Sequence, residues 1–319
     1  MKRVQDYLLK YSTWLIFVFA YLFLAYKLIA FSDYDALIQH FSSASLRDYL
    51  FLAVVLVLLP FNLLFEALKW QKLVSGLQPL SLRLAFKSVL VGQTGAFFTP
   101  NRLGEFPARA LILEKNNIIP ATALGVVGSV MQMLVITGIG LVTAFLYASS
   151  CVASCSFAFT PYSWIVVVLF IVLVIMTSVW LIKNSTWFYE RLKQSKRQVI
   201  SRLGQGLSHL SRRDVGVVFI YSFLRYIVYS SQFYAMLIFM NVTLTPWQAF
   251  LSIPTIYLLV TYTPSFAFSE AMIRGSYAIF ILSTFSTNEV GMALAGILVW
   301  CINYCIPIFM GSLFVKKAL

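Results

Sequence analysis

Residues 92–109 read GQTGAFFTPNRLGEFPAR, a stretch in which a proline and several charged side chains interrupt a strongly apolar chain. A related pattern recurs at residues 263–274, which read TPSFAFSEAMIR. Both stretches contain a Thr-Pro pair, a short spacer and the pattern E-x-x-x-R, and the two spacers differ by one residue. The charged residues of the two stretches are Arg102, Glu105, Arg109, Glu270 and Arg274.

The rest of the chain has the composition of a polytopic membrane protein. Of its 319 residues, 60% are apolar and 11% are charged, whereas about a quarter of the residues in a soluble domain are charged. A hydrocarbon core about 30 Å thick requires roughly 20 apolar residues per spanning helix. Six stretches meet this requirement, at about residues 13–31, 49–68, 120–148, 162–182, 215–240 and 288–315. We therefore expect one membrane domain over residues 1–319.

The two charged stretches lie in longer apolar segments, residues 80–114 and 246–285, that are each broken by a proline. Proline ends or kinks a helix, and irregular backbone at membrane depth occurs only where protein or a water-filled cavity surrounds it. Each segment is interpreted as a re-entrant helical hairpin. The predicted fold class is thus an all-α polytopic membrane protein, with about six transmembrane helices and two re-entrant hairpins.

Basic residues predict the orientation, because Lys and Arg near span ends are retained in the cytoplasm. The loop at residues 183–213 contains eight of them, namely Lys183, Arg191, Lys193, Lys196, Arg197, Arg202, Arg212 and Arg213. Both chain ends are also basic, so both termini are predicted to be cytoplasmic in a bacterial-type inner membrane. The net charge of +13 is attributed to these loops and to anionic lipid, and a nucleic-acid partner is not expected.

This orientation makes the first hairpin enter from the cytoplasm and the second from outside. The order span, span, hairpin, span then occurs twice with opposite orientation, as an inverted repeat over about residues 1–148 and 162–319. Many transporters form their substrate site from inverted repeats with broken helices. The loop between the halves has apolar residues at near-helical spacing, which predicts either an interfacial helix or a solvated connector.

Five charges in membrane-embedded segments require an explanation, since each costs roughly 2.5–3.5 kcal/mol at the centre of a helix. In one interpretation, the Glu and Arg of each E-x-x-x-R pattern neutralise each other and only hold the hairpins together. However, two acids cannot neutralise three arginines, and the surplus charge suits a phosphate, which guanidinium binds in a bidentate manner. Pro107 indicates that Glu105 begins a helix and does not face Arg109 across a regular turn.

Two further positions are candidates for substrate binding. Glu66 precedes Lys69 and Trp70 at the end of the second predicted span, where Lys and Trp are interpreted as interfacial anchors. Arg225 lies within the predicted span 215–240, and forms a polar stripe with Tyr226, Tyr229 and Gln232. This stripe either lines a path through the membrane or is satisfied locally.

The sequence gives no sign of a metal or a cofactor. It contains only His40 and His209, and no cluster of Cys or carboxylates has metal-ligand spacing. Cys301 and Cys305 are expected to be small core residues. Cys151 and Cys155 lie in an uncharged loop, where a disulfide is an open alternative.

Four elements resemble the lysylphosphatidylglycerol synthase transmembrane region, or flippase-like domain, family. They are FEALKW at 65–70, the stretch at 92–109, the basic middle loop and the stretch at 263–274. The most specific part, PNRLGEFPAR, is similar to the family pattern P-x-R-x-G-E-x-x-R but has one more residue before the final arginine. In the second half, Phe266, Ala267 and Phe268 replace the glycines that are usual in the family.

The resemblance implies a lipid flippase-like domain, which occurs alone or fused to a cytoplasmic aminoacyl-transferase. The chain ends at Leu319 directly after its last predicted span, so we do not expect lysine transfer from this polypeptide by itself. We expect a flippase- or scramblase-like transporter for an anionic phospholipid or a polyprenyl-phosphate-linked lipid. The alternatives are a non-transporting membrane partner of a lipid- or glycan-modifying enzyme, and a membrane enzyme acting on lipid head groups.

Overall fold

The computed structural model of the protein describes residues 45–152, 198–263, 265 and 267–318, together with Ile38, Gln39 and Ser42. Its contacts divide the chain into two units, Met1–Leu46 and Arg47–Leu319. All the packing described below belongs to the second unit. The predicted spans 13–31 and 162–182, the first part of the basic loop and the pairing of Cys151 with Cys155 lie outside the described residues.

Every regular element in the described ranges is a helix. In chain order these are α1 (Leu46–Val74), α2 (Leu82–Phe97), α3 (Glu105–Ala110), α4 (Ile118–Val152), α5 (Gln198–Ser208), α6 (Arg212–Phe239), α7 (Pro246–Tyr262), α8 (Ala267–Leu282) and α9 (Glu289–Ala318). Short 3₁₀ turns lie at Pro100–Arg102 and Lys115–Asn117. The expected all-α class is confirmed for this part of the chain.

Three of these helical stretches are long and apolar enough to cross a membrane, namely Leu46–Val74, Lys115–Ser149 and Glu289–Phe314. They correspond to the predicted spans 49–68, 120–148 and 288–315, and they support the assignment as a membrane protein. The predicted span 215–240 forms the helix α6, but it is not in this set. Its sequence is less apolar because Arg225 and a series of Tyr and Ser residues interrupt it.

Side-chain caps determine where the helices of the second half begin. Ser211 and Asp214 form a reciprocal capping box at the start of α6, and Thr245 and Gln248 form another at the start of α7. Pro246 follows Thr245 as the first residue of α7, a position at which the missing N–H is not needed. These caps satisfy backbone N–H groups that would otherwise have no partner.

Both proline-broken segments consist of two helices that pack against each other. In the first, α2 and α3 flank the 3₁₀ turn, and the backbone approaches closely because glycines line the contact. A Cβ on Gly95 would collide with the Ala108 side chain and lie 2.8 Å from the Gly104 carbonyl oxygen. Gly92 and Gly95 therefore allow α2 and α3 to pack closely. The two segments differ in the length of their second helix: α3 has 6 residues and α8 has 16.

The packing between the two halves is reciprocal. The first helix of each broken segment packs against the last helix of the other half, so α2 contacts α9 and α7 contacts α4. A hydrophobic core joins α1, α2 and α4, and Leu207 of α5 is buried in it with Leu203 and Leu210 packed alongside. The helical spacing predicted in the basic loop is confirmed for α5, whose apolar side contacts protein.

Candidate functional site

The two proline breaks touch each other directly. The backbone N–H of Asn101 donates to the carbonyl oxygen of Ser265 at 3.0 Å, and the N–H of Ser265 donates to Asn101 Oδ1 at 3.1 Å. Asn101 and Arg102 adopt left-handed backbone angles, with φ of 49° and 62°. Such angles cost residues other than glycine roughly 1–2 kcal/mol. The contact with Ser265 stabilises this turn, and the turn directs Arg102 toward the second half.

Glu66 is the centre of a buried ion cluster that connects α1, α3 and α6. Its carboxylate lies 2.7 Å from Lys69 Nζ, 2.6 Å from Arg109 Nη1 and 2.8 Å from Arg225 Nη1. Glu66 is only 2% exposed. A single carboxylate therefore holds cations from three separate helices.

The interpretation of Lys69 and Trp70 as interfacial anchors is wrong. Lys69 is 2% exposed and Trp70 is fully buried. Lys69 is held inside by its ion pair with Glu66, while the Trp70 ring lies in the core with the Arg109 guanidinium 5.7 Å from its centroid. Both side chains therefore belong to the protein interior.

Arg109 is clamped between two acids. Its Nη1 binds Glu66 and its Nη2 binds Glu105, and the side chain is 4% exposed. Glu105 does begin α3, as Pro107 predicts, but the expectation that it would not face Arg109 is wrong. Proline in the first turn removes no helical hydrogen bond, so the turn continues and places residues four apart on one face.

The second half contains a matching ion pair on α8. Arg274 donates to Glu270 Oε1 through Nε at 3.2 Å and through Nη2 at 2.7 Å. Its guanidinium carbon also lies 5.8 Å and 5.7 Å from the ring centroids of Tyr229 and Tyr257. Both pairs that the neutralising interpretation requires are thus present.

A cavity of about 100 Å³ lies where the two halves meet. Three arginines from different elements line it: Arg102 from the 3₁₀ turn, Arg225 from α6 and Arg274 from α8. Arg109 does not line this cavity. The acids Glu66, Glu105 and Glu270 stand behind the arginines, each paired with at least one of them.

Several polar atoms around the cavity are buried without a hydrogen-bond partner in the described part of the chain. They are Gln93 Oε1, Gln132 Oε1, Arg102 Nε and the Tyr304 hydroxyl. Burying such groups unpaired costs free energy, and in native proteins nearly all of them are satisfied by protein or by water. All four residues line the cavity, so its wall is rich in polar side chains.

Sequence reasoning missed an asparagine pair that supports Arg225. Arg225 Nε donates to Asn62 Oδ1 at 2.7 Å, and Asn62 Nδ2 donates to Asn303 Oδ1 at 2.6 Å. Both asparagines are at most 3% exposed. The available signal was an asparagine inside each of the predicted spans 49–68 and 288–315, since polar residues are rare inside membranes and usually functional.

The charges of this interior do not balance. The cluster contains five cations and three acids. The cations are Lys69, Arg102, Arg109, Arg225 and Arg274, and the acids are Glu66, Glu105 and Glu270. Each cation has an acid within 4 Å, but the formal net charge of these eight residues is +2 (five minus three). No group of three potential metal ligands is found in the same ranges.

Comparison with known proteins identifies the family of the chain. A search of the curated proteins and a search of the solved structures find no match. The family model of the lysylphosphatidylglycerol synthase TM region, by contrast, matches residues 13–306, which include the whole ion cluster and the cavity. The chain therefore belongs to the family of the lysylphosphatidylglycerol synthase transmembrane region.

Proposed function

We propose that the protein is a flippase- or scramblase-like lipid transporter. It binds the head group of an anionic phospholipid or of a polyprenyl-phosphate-linked lipid in the cavity, while the lipid tails remain in the bilayer. One observation carries the proposal: three arginines from both halves converge on a cavity whose surroundings have surplus positive charge. Guanidinium groups bind phosphate oxygens in pairs of parallel hydrogen bonds, which makes phosphate the matching anion.

The residues have different roles in this proposal. Arg102, Arg225 and Arg274 contact the phosphate directly, because they line the cavity. Glu66 and Glu270 orient them from behind, and Arg109 connects Glu66 to Glu105 as an internal support. The protein performs no reaction and requires no cofactor in this scheme.

The membrane arrangement is part of the proposal. The two broken segments are re-entrant hairpins that enter from opposite sides, and the halves are inverted repeats with both termini in the cytoplasm. The reciprocal packing of α2 on α9 and of α7 on α4 supports this arrangement, because a two-fold relation between the halves requires such paired contacts. Transporters with inverted repeats bind their substrates at the repeat interface.

Leaflet exchange in reconstituted vesicles tests the proposal. The full chain is inserted into phosphatidylcholine vesicles containing fluorescent phosphatidylglycerol or phosphatidic acid, and dithionite quenching measures the dye that reaches the outer leaflet. We expect faster exchange than in empty vesicles, and at least a tenfold loss in Arg102→Ala. Arg102 is a suitable site because Arg109 continues to hold Glu105 when it is removed.

Arg83→Ala is the matched control, since Arg83 is an exposed arginine of the same broken segment. It should exchange lipid at the wild-type rate. Unchanged exchange for every lipid, with the wild type equal to empty vesicles, would contradict transport. Mass spectrometry of the recovered lipids addresses the enzyme alternative, which requires a chemically modified lipid to appear.

A further inference from the structure

The cavity is built for a particular charge state of phosphate. We propose that it selects a terminal phosphate, a phosphomonoester with two negative charges, over a phosphodiester with one. This inference rests on the proposed function and specifies the substrate class of the same site. Two observations carry it: the charge balance and the free donors.

The charge balance calls for a dianion. The interior has a surplus of two positive charges, and an uncompensated buried charge is strongly destabilising. The predicted spans 13–31 and 162–182, which lie outside the described residues, contain no Asp or Glu that could supply the missing acids. A phosphomonoester dianion brings the net charge of the cluster to zero, whereas a phosphodiester leaves it at +1.

The free donors match three oxygens. Arg225 uses Nε for Asn62 and Nη1 for Glu66, and Arg274 uses Nε and Nη2 for Glu270. Arg102 uses Nη2 for Glu105. Nη1 of Arg102, Nη2 of Arg225 and Nη1 of Arg274 have no bond to any described residue. Nε of Arg102 is also unbonded, but it is fully buried. Each of the three arginines therefore keeps one Nη group for a ligand. A phosphomonoester presents three free oxygens, and a diester has only two.

The cavity is large enough for a phosphate group. Its volume of about 100 Å³ is several times the roughly 10–15 Å³ that one water molecule requires on the same measure. Tyr226 also lines a second, apolar cavity of about 660 Å³ between α4, α6 and α7. We place the apolar part of the lipid there, on the far side of Tyr226.

Competition binding to the purified full chain in neutral detergent tests this assignment. Radiolabelled phosphatidic acid is bound to the immobilised protein and displaced by unlabelled phosphatidic acid, phosphatidylglycerol or inorganic phosphate between pH 5 and pH 8. A phosphomonoester loses its second proton near pH 6, while a phosphodiester keeps one charge throughout. We expect phosphatidic acid to bind at least tenfold more tightly than phosphatidylglycerol at pH 8, and this advantage to fall towards pH 5.

Phosphatidylglycerol is the reference that separates titration of the ligand from titration of the protein. The groups around the site are the five cations and three acids of the ion cluster and the tyrosines Tyr226, Tyr229, Tyr257 and Tyr304. Protonation of these protein groups at low pH adds positive charge, which would favour a dianion over a monoanion more strongly. A fall in the affinity ratio towards pH 5 therefore reports the charge of the phosphate itself.

A charge-adding substitution provides a second, independent test. Gln93→Glu adds one negative charge to the cavity wall with little change of shape, and it should reduce the advantage of phosphatidic acid to less than threefold. Gln248→Glu is the matched control, because Gln248 lies at the start of α7 and Glu also accepts the Thr245 N–H there. This control should keep the wild-type preference.

The outcomes separate this inference from the proposed function. Equal binding of the two lipids at pH 8, while leaflet exchange persists, would overturn the selection of a dianion but leave transport standing. Displacement by inorganic phosphate as effective as that by phosphatidic acid would assign the site to free phosphate and would also overturn it. Failure of exchange for all lipids refutes the proposed function instead.

Discussion

Replacing Glu66 by glutamine removes the one acid that three buried cations share. Glutamine keeps the shape of the side chain and removes its charge. Breaking a buried ion pair by neutralising one partner costs about 3–5 kcal/mol, because the other charge stays buried and uncompensated. Arg109 retains Glu105 and Arg225 retains Asn62, so these two cations keep a partner. Lys69 has no second acid within 4 Å among the described residues.

Because only Lys69 is left without an acid, a second substitution can measure how much of the lost stability comes from this lysine. We expect Glu66→Gln to lower the free energy of unfolding by about 3–5 kcal/mol. Adding Lys69→Met removes the cation with no other acid, and should recover about 1–2 kcal/mol, within the range of coupling energies for residues in contact. The recovery arises because methionine fills a similar space without a charge.

A double-mutant cycle measures this recovery. The wild type, both single variants and the double variant are unfolded by denaturant in the same detergent. Lys72→Met, in place of Lys69→Met, is the matched control. Lys72 is a half-exposed lysine one turn further along α1 that binds Asp214, so it should give no recovery. A loss below about 1 kcal/mol in Glu66→Gln, or equal recovery from the two lysine variants, would refute the central role of Glu66.

Three other perturbations test separate parts of the fold. Gly92→Ala should lower the free energy of unfolding by about 1–3 kcal/mol, because the added Cβ overpacks against Arg109. Gly138→Ala is the control: nothing lies within 4 Å of its added Cβ, so it should be neutral or stabilising. Thermal unfolding of both variants in detergent measures the difference. Asn101→Ala should be less stable than Asn101→Gly by roughly 1 kcal/mol, because only the alanine opposes the positive φ, and equal unfolding midpoints would contradict this. A hydrogen bond from Lys72 holds the pKa of the Asp214 carboxyl below its usual value. The ionised Asp214 therefore stabilises the folded protein fully above the unfolded pKa of about 3.9. This stabilisation is lost as the pH falls through the folded pKa. Asp214→Asn should therefore cost about 0.5–1 kcal/mol at pH 7, and the difference should narrow between about pH 5 and pH 2 in denaturant titrations.

The long helices were predictable because length and apolar composition suffice for them. Leu46–Val74 and Glu289–Ala318 each contain a predicted span, and proline within them does not end the helix. The charged stretches were predictable for a related reason, since a charge inside an apolar segment is costly wherever its partner lies. These inferences depend on single segments and need no knowledge of tertiary contacts.

The ion cluster around Glu66 was not predictable, because its members come from three helices that are far apart in sequence. Lysine followed by tryptophan at a span end has the same local pattern in an interfacial anchor and in a buried site. Only the ion pairs of Glu66 with Arg109 and Arg225 distinguish the buried site from an interfacial anchor. The contact between Asn101 and Ser265 is a similar case, since neither residue type indicates a partner across the chain.

The numbers of charges favour the proposed binding role of the site over a purely neutralising one. A cluster that only holds helices together is satisfied when acids and cations are equal in number, and it leaves no reason for arginines to line a cavity. Here each acid is paired, yet three guanidinium groups still face a shared space with unpaired polar atoms around it. Because Glu66, Glu105 and Glu270 already hold the arginines in place, an anion that enters meets oriented donors and little side-chain freedom is lost on binding. The ion pairs are thus compatible with binding and prepare the site for it.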